Sequence, residues 1–217
     1  SALFSSTDPS ELQLLHLIYD VCEELREKGG WAQTKKVHTF DLETSRTFYQ
    51  LPKDFYAPVL ESQWQTDSQR RMIGPVSDGE FTRLKYRSIQ PGDVTYRIWG
   101  PDMNPNSSGG QFEVRPVPSA SGDSMAFEYY TRNLFMPKHW IASTAYASGV
   151  YVNNNGYNYL SDTIGTSGST GPSGTGTNIA DGSTQWDYYS EPWETIKADT
   201  DLCIYDDNLV ILGLKYK

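Results

Sequence analysis

Leu12, Leu15, Ile18, Tyr19, Cys22 and Leu25 recur at three- and four-residue spacing. A helix turns once in about 3.6 residues, so this spacing lays them on one face and predicts an amphipathic helix over 8–28. Asp8 suits the N-cap and Pro9 the first helical position, and Glu11 can reach back as in a capping box. Gly29-Gly30 ends the run. Glu23, Glu24, Glu27 and Lys28 lie largely off the stripe, whereas Leu14, Leu17 and Val21 widen it. The helix is therefore expected to be covered on more than one side.

From Lys35 the period falls to about two, the period of a strand with one buried face. Val37, Thr39 and Asp41 alternate with His38, Phe40 and Leu42. Further strands are expected at 47–51, 57–65, 81–86, 95–99, 111–117 and 125–132. Pro52, Pro58, Gly74-Pro75, Gly79, Pro91-Gly92 and Gly100-Pro101 punctuate them. Short strands at a spacing of about ten residues predict an antiparallel sandwich or barrel over 35–135.

A different texture begins near Trp140. Asn153-Asn154-Asn155-Gly156 reads as a turn and 157–161 as a strand. The stretch 163–188 is first Gly/Ser/Thr-rich, which predicts a flexible loop. It then closes on Asp181-Gly182, a dipeptide that supplies positive φ to a two-residue hairpin turn. Ser183 to Tyr188 alternates toward Trp186 and Tyr188. These features mark an inserted β-module at 142–190 within a host of 1–141 plus 191–217. The segment 198–217 closes the host; its apolar run from Asp207 suits a helix or a strand, with a short C-terminal helix the expected form. The predicted class is α+β: an N-terminal helix packed with an antiparallel sandwich or barrel-like domain, the small β-module, and that terminal helix.

Composition narrows the chemistry. Lys plus Arg number 18 against 27 Asp plus Glu, a formal net charge of −9. Nucleic-acid affinity rests on cations that neutralise phosphates, so this balance argues against it. His16, His38 and His139 form no H-x-H or H-x-x-x-H pair, which leaves a zinc site or a hydrolytic triad without support. Gly165 to Gly176 lacks the G-K-[ST] ending of a phosphate loop. Asp199, Asp201, Asp206 and Asp207 lack the spacing of a calcium loop and suit a turn and a helix cap instead. No catalytic residue, metal ligand or cofactor site is expected. Cys22 falls on the helix stripe, where a buried thiol is the simple expectation; a disulfide to Cys203 stays open. The N-terminal residues carry no basic region followed by an apolar run, and no apolar stretch approaches the ~18 residues of a membrane span. Asn106-Ser107-Ser108 matches a glycosylation sequon of little weight without secretion. Tyr151, Tyr157, Tyr159 and Trp186 suit either stacking on a glycan or partner, or the core of a module with little else to bury.

Several phrases, in order, resemble the head-to-tail adaptor (connector) proteins of tailed bacteriophages. They begin with the capped N-terminal helix and Tyr49-Gln50-Leu51-Pro52-Lys53-Asp54-Phe55, like Y-x-L-P-x-D-F. Trp64, Gly74-Pro75-Val76-Ser77 and Tyr96-Arg97-Ile98-Trp99-Gly100 follow, then Pro116 and Pro118 before Glu128-Tyr129. Ala198-Asp199-Thr200-Asp201 running into Asp207 to Leu214 completes the set. The 163–188 stretch is similar to G-T-S-G…P…D-G-x-x-x-W modules of phage structural proteins. The resemblance implies a non-enzymatic virion protein made in the host bacterial cytoplasm and placed at the capsid–tail junction. It implies a homo-oligomeric ring, commonly of twelve copies, with portal protein above and tail, nozzle or tail-fibre proteins below. DNA would pass through the channel without specific binding, and no membrane is involved. The alternative expectation is a glycan- or receptor-binding module carried by a tail or fibre-docking protein.

Overall fold

Helix α1 (Pro9–Lys28) starts where Asp8 turns its carboxylate onto the amide of Ser10, at 2.8 Å, with Pro9 opening the first turn. It ends at Gly29, whose φ of 65° no β-carbon opposes. The computed structural model describes residues 7–86, 93–99 and 110–216. Pro91-Gly92, Gly100-Pro101 and the Asn106 sequon lie outside the described residues. The fold is α+β and mostly β, with antiparallel strands in several sheets between an N-terminal and a short C-terminal helix. The chain divides into two units: unit 1 is Ser1–Gln33 with Asn133–Lys217, and unit 2 is Thr34–Arg132.

Unit 2 holds β1 (Lys35–Asp41), β2 (Phe48–Gln50), β3 (Phe55–Pro58), β4 (Trp64–Gln65), β5 (Arg70–Arg71), α2 (Asp78–Tyr86), β6 (Thr95–Trp99), β7 (Gln111–Arg115) and β8 (Ser124–Thr131). One sheet runs β1-β8-β4-β5, with β3 also paired to β8; the other runs β2-β7-β6. Met125, Phe127, Tyr129 and Thr131 of β8 are buried while the residues between them are half-buried, as alternation requires. Phe112 of β7 stacks on Phe127 at 5.4 Å and on Tyr96 of β6 at 4.5 Å. The two sheets thus share one aromatic core, completed by Leu42, Leu51 and Met72.

Two strand expectations are corrected. Residues 81–86 form the body of α2, not a strand. Ser77 accepts a bond from the Glu80 amide at 3.3 Å and, through its carbonyl, from the Phe81 amide at 2.9 Å. Ser77-x-x-Glu80 has the spacing of a capping box, a helix start that outweighs the short alternation after it. The expected strand at 57–65 is split into β3 and β4. Pro58 has no amide hydrogen to continue the ladder, and Glu61 turns the chain with φ 67°.

Unit 1 adds β9 (Phe135–Met136), β10 (Ala145–Tyr146), β11 (Tyr151–Asn154), β12 (Tyr157–Ser161), β13 (Gly165–Thr166), β14 (Ile179–Asp181), β15 (Thr184–Tyr189), β16 (Leu202–Cys203) and α3 (Asp207–Lys215). A four-stranded antiparallel sheet, β11-β12-β15-β14, occupies most of 142–190, and β10–β13 and β16–β9 are two-stranded pairs. Asn155 and Gly156, both at positive φ, join β11 to β12, so Asn153 and Asn154 belong to the strand. Asp206 caps α3 by accepting from the Asn208 amide at 2.9 Å. Helices α1 and α3 meet where Gly213 faces Val21; a β-carbon added at Gly213 would stand 2.6 Å from Val21 Cγ1. Beneath them Cys22, Leu25, Leu134, Phe135, Trp193 and Tyr205 form a core.

Candidate interaction surfaces

The four aromatics singled out in 142–190 do not converge on one surface. Tyr159 and Trp186 are fully buried and, with Tyr146 and Val152, make the core under the four-stranded sheet. Tyr151 is half-buried, edge-on to Trp193 at 4.9 Å and to Tyr189 at 5.0 Å. Tyr157 is 48% exposed, with its ring edge-on to Tyr188 at 5.9 Å.

Asp181 is the residue that organises this region. Its Oδ2 accepts from the Trp140 indole at 2.8 Å and the Trp186 indole at 3.1 Å, and its Oδ1 accepts from the Gly168 amide at 2.7 Å. The expected turn is corrected accordingly. Asp181 ends β14 paired with Thr184, and the two-residue loop is Gly182-Ser183, with positive φ only at Gly182. That is the glycine-first form of hairpin turn, which frees the Asp181 side chain to point inward.

The Gly-rich stretch is tied down rather than loose. Asn154 Nδ2 donates to the Pro172 carbonyl at 3.0 Å and Tyr159 Oη to the Gly174 carbonyl at 3.1 Å. The Tyr188 amide reaches the Gly176 carbonyl, and the Asn178 amide the Asp187 carboxylate at 2.8 Å. The expectation of a flexible loop fails because Asn154, Tyr159, Tyr188 and Asp187, which hold the stretch, lie on the sheet beside it.

Sequence reasoning missed a cation held among aromatics. Lys197 Nζ sits 4.1 Å from the Trp193 ring and 4.5 Å from the Tyr189 ring, and donates to Tyr189 Oη at 2.6 Å. Asp201 makes the neighbouring turn, accepting from the amides of Lys197 and Ala198 and from the Trp193 indole at 3.1 Å. Trp193, Lys197 and Asp201 stand at four-residue spacing, the one signal that could have grouped them.

In unit 2, Asp54 is a comparable anchor. Lys36 Nζ, Tyr129 Oη and Thr131 Oγ1 each donate to it at 2.8 Å. Burial alone would raise its pKa, but Lys36 and the two hydroxyls hold it below the usual carboxylate value. His38, edge-on to Phe127 at 5.4 Å, is pushed below the ordinary histidine value by burial, with Asp54 opposing. Arg97 pairs with the buried Glu113 at 2.6 Å and with Asp78 at 3.0 Å, and lies over Trp99 at 4.1 Å. Among the described residues no group of three or more His, Cys, Asp or Glu could hold a metal ion, and no helix is long and apolar enough to cross a membrane.

What the units offer outward is apolar surface. On the β1-β8-β4 face turned away from the aromatic core, Val37 is 66% and Trp64 44% exposed. In unit 1, α1 and α3 leave a cleft of about 280 Å³ lined by Leu25, Lys28, Leu212 and Tyr216, with Ile211 exposed nearby. Charge is divided unequally. Unit 1 carries 6 Lys and Arg against 15 Asp and Glu, and unit 2 carries 12 against 12, so the whole −9 belongs to unit 1. Comparison with protein-family models and with curated proteins finds no match to this chain.

Proposed function

We propose that this chain is a structural virion protein: one subunit of a homo-oligomeric ring that joins the portal vertex of a phage capsid to the tail. The observation that carries the reading is the order of the adaptor-like phrases along the chain. It is supported by where their residues lie. Tyr49, Leu51, Phe55 and Tyr96 share one core, Asp54 binds three partners around them, and Arg97 is ion-paired beside them. Residues spread over fifty positions yet drawn into one interior behave as a single folding signature.

Ring subunits meet head to tail through two unlike faces. The sheet face with Val37 and Trp64 and the α1–α3 surface with Leu212 and Tyr216 are apolar candidates for contacts of this kind. Portal protein above and tail, nozzle or fibre proteins below complete the neighbours. The anionic surface of unit 1 disfavours phosphate, so DNA in the channel slides without being held. The protein acts by shape and contact and catalyses no reaction.

Co-sedimentation with isolated portal rings tests the proposal. Binding in a fixed ratio, with a collar added beneath the portal in electron micrographs, is the expected result. A chain that stays in the supernatant and is missing from the portal vertex of the virion sinks it. The exposed ring of Tyr157 favours one further reading, a glycan contact on 142–190. That reading requires Tyr157→Ala to abolish binding on a glycan array.

A further inference from the structure

We infer that Cys22 and Cys203 form a reversible disulfide that staples α1 to β16, locking together the two separate stretches of chain that make unit 1. The inference does not depend on the ring. Unit 1 is discontinuous: all of unit 2 intervenes between its first stretch and its second. Apolar packing of Val21, Cys22 and Leu25 seats α1 in the core. The two sulfurs, 181 residues apart in sequence, stand 3.6 Å from each other. A disulfide holds its sulfurs about 2.05 Å apart, so the two must close by roughly 1.5 Å.

The two thiols are chemically unequal. Cys22 is fully buried, whereas Cys203 is half-buried and open to a small reagent. The bond between them, followed by burial, pushes the Cys22 thiol up. The same bond, aided by the Tyr205 and Ile204 amides, pulls Cys203 down against its own burial. Cys203, the thiol that a small reagent can reach, is the one that attacks first. With a low-molecular-weight disulfide as oxidant, Cys203 displaces one thiolate and becomes a mixed disulfide. Cys22 then gives its proton to solvent, attacks the Cys203 sulfur and displaces the second thiolate. Two protein thiols are oxidised and one reagent disulfide is reduced to two thiols.

Closing so long a loop removes freedom chiefly from the unfolded chain. Thermal unfolding should accordingly rise by roughly 5–10 °C on oxidation. The test is incubation of the full chain with oxidised glutathione, followed by intact mass, alkylation of the unfolded protein and a melting curve. The expected result is loss of two hydrogens, no alkylatable thiol, and a raised midpoint that dithiothreitol reverses. Cys203→Ala should leave Cys22 unmodified by glutathione in the folded protein, and Cys22→Ala should stop at the glutathione adduct on Cys203. A wild-type chain that keeps that adduct, keeps both thiols, or crosslinks between molecules overturns the inference.

Discussion

Asp181 carries three hydrogen bonds beside the apolar core of the four-stranded sheet. Asp181→Asn keeps the shape but removes the charge, and turns a donor toward groups that are themselves donors. Bonds to a charged acceptor contribute more than neutral ones, so a loss of about 2–3 kcal/mol is expected. Urea unfolding followed by tryptophan fluorescence measures it, since Trp140 and Trp186 both report on the site. Two other residues set the response to acid. His38 is half-buried with a lowered pKa, so its contribution is present above the ordinary histidine value of about 6.5 and fades as pH falls below it. Asp54 is half-buried and charged with a lowered pKa, so its contribution fades only below the ordinary carboxylate value of about 3.9. Melting temperature against pH should therefore drop in two stages, and His38→Gln should remove the first.

At the scale of elements, the packing of α1 on α3 rests on a missing side chain. Gly213 lets the two helices approach at Val21. Alanine there gains about 1 kcal/mol of helix propensity in isolation. It also forces a β-carbon into Val21, an overpacking cost of about 1–3 kcal/mol. Gly213→Ala is expected to destabilise the protein in chemical denaturation, and the added Val21→Ala substitution to restore part of the loss. The same balance between local preference and surroundings explains α2. Leu84 and Tyr86 fit the period of a strand and Phe81 and Leu84 that of a helix, and the cap at Ser77 decides for helix.

For the whole molecule, charge division is the feature with the widest reach. Unit 2 is neutral and unit 1 bears all nine excess negative charges. Binding to a phosphate backbone gains from the counterions that Lys and Arg displace, and neither unit carries a net positive charge to displace them. Fluorescence anisotropy with a labelled duplex should show no binding even at about 50 mM salt, where attraction is least screened. Appreciable binding there would contradict a channel that passes DNA freely.

The linear pattern by itself determined what depends on near neighbours. The ends of α1 follow from Asp8, Pro9 and Gly29, and β8 follows from alternation, because caps and periodicity act within a few residues. For Trp186 the pattern left a partner contact and a module core both open, and packing under the four-stranded sheet buried it. Tertiary structure alone decided the rest. It turned Asp181 from a turn residue into the acceptor of two indoles, set Lys197 among Trp193 and Tyr189, and brought Cys22 to Cys203. Spacing along a chain states which face a side chain takes, but the partner across that face is chosen when distant elements pack, and two-residue strands such as β9 and β16 exist only through that pairing.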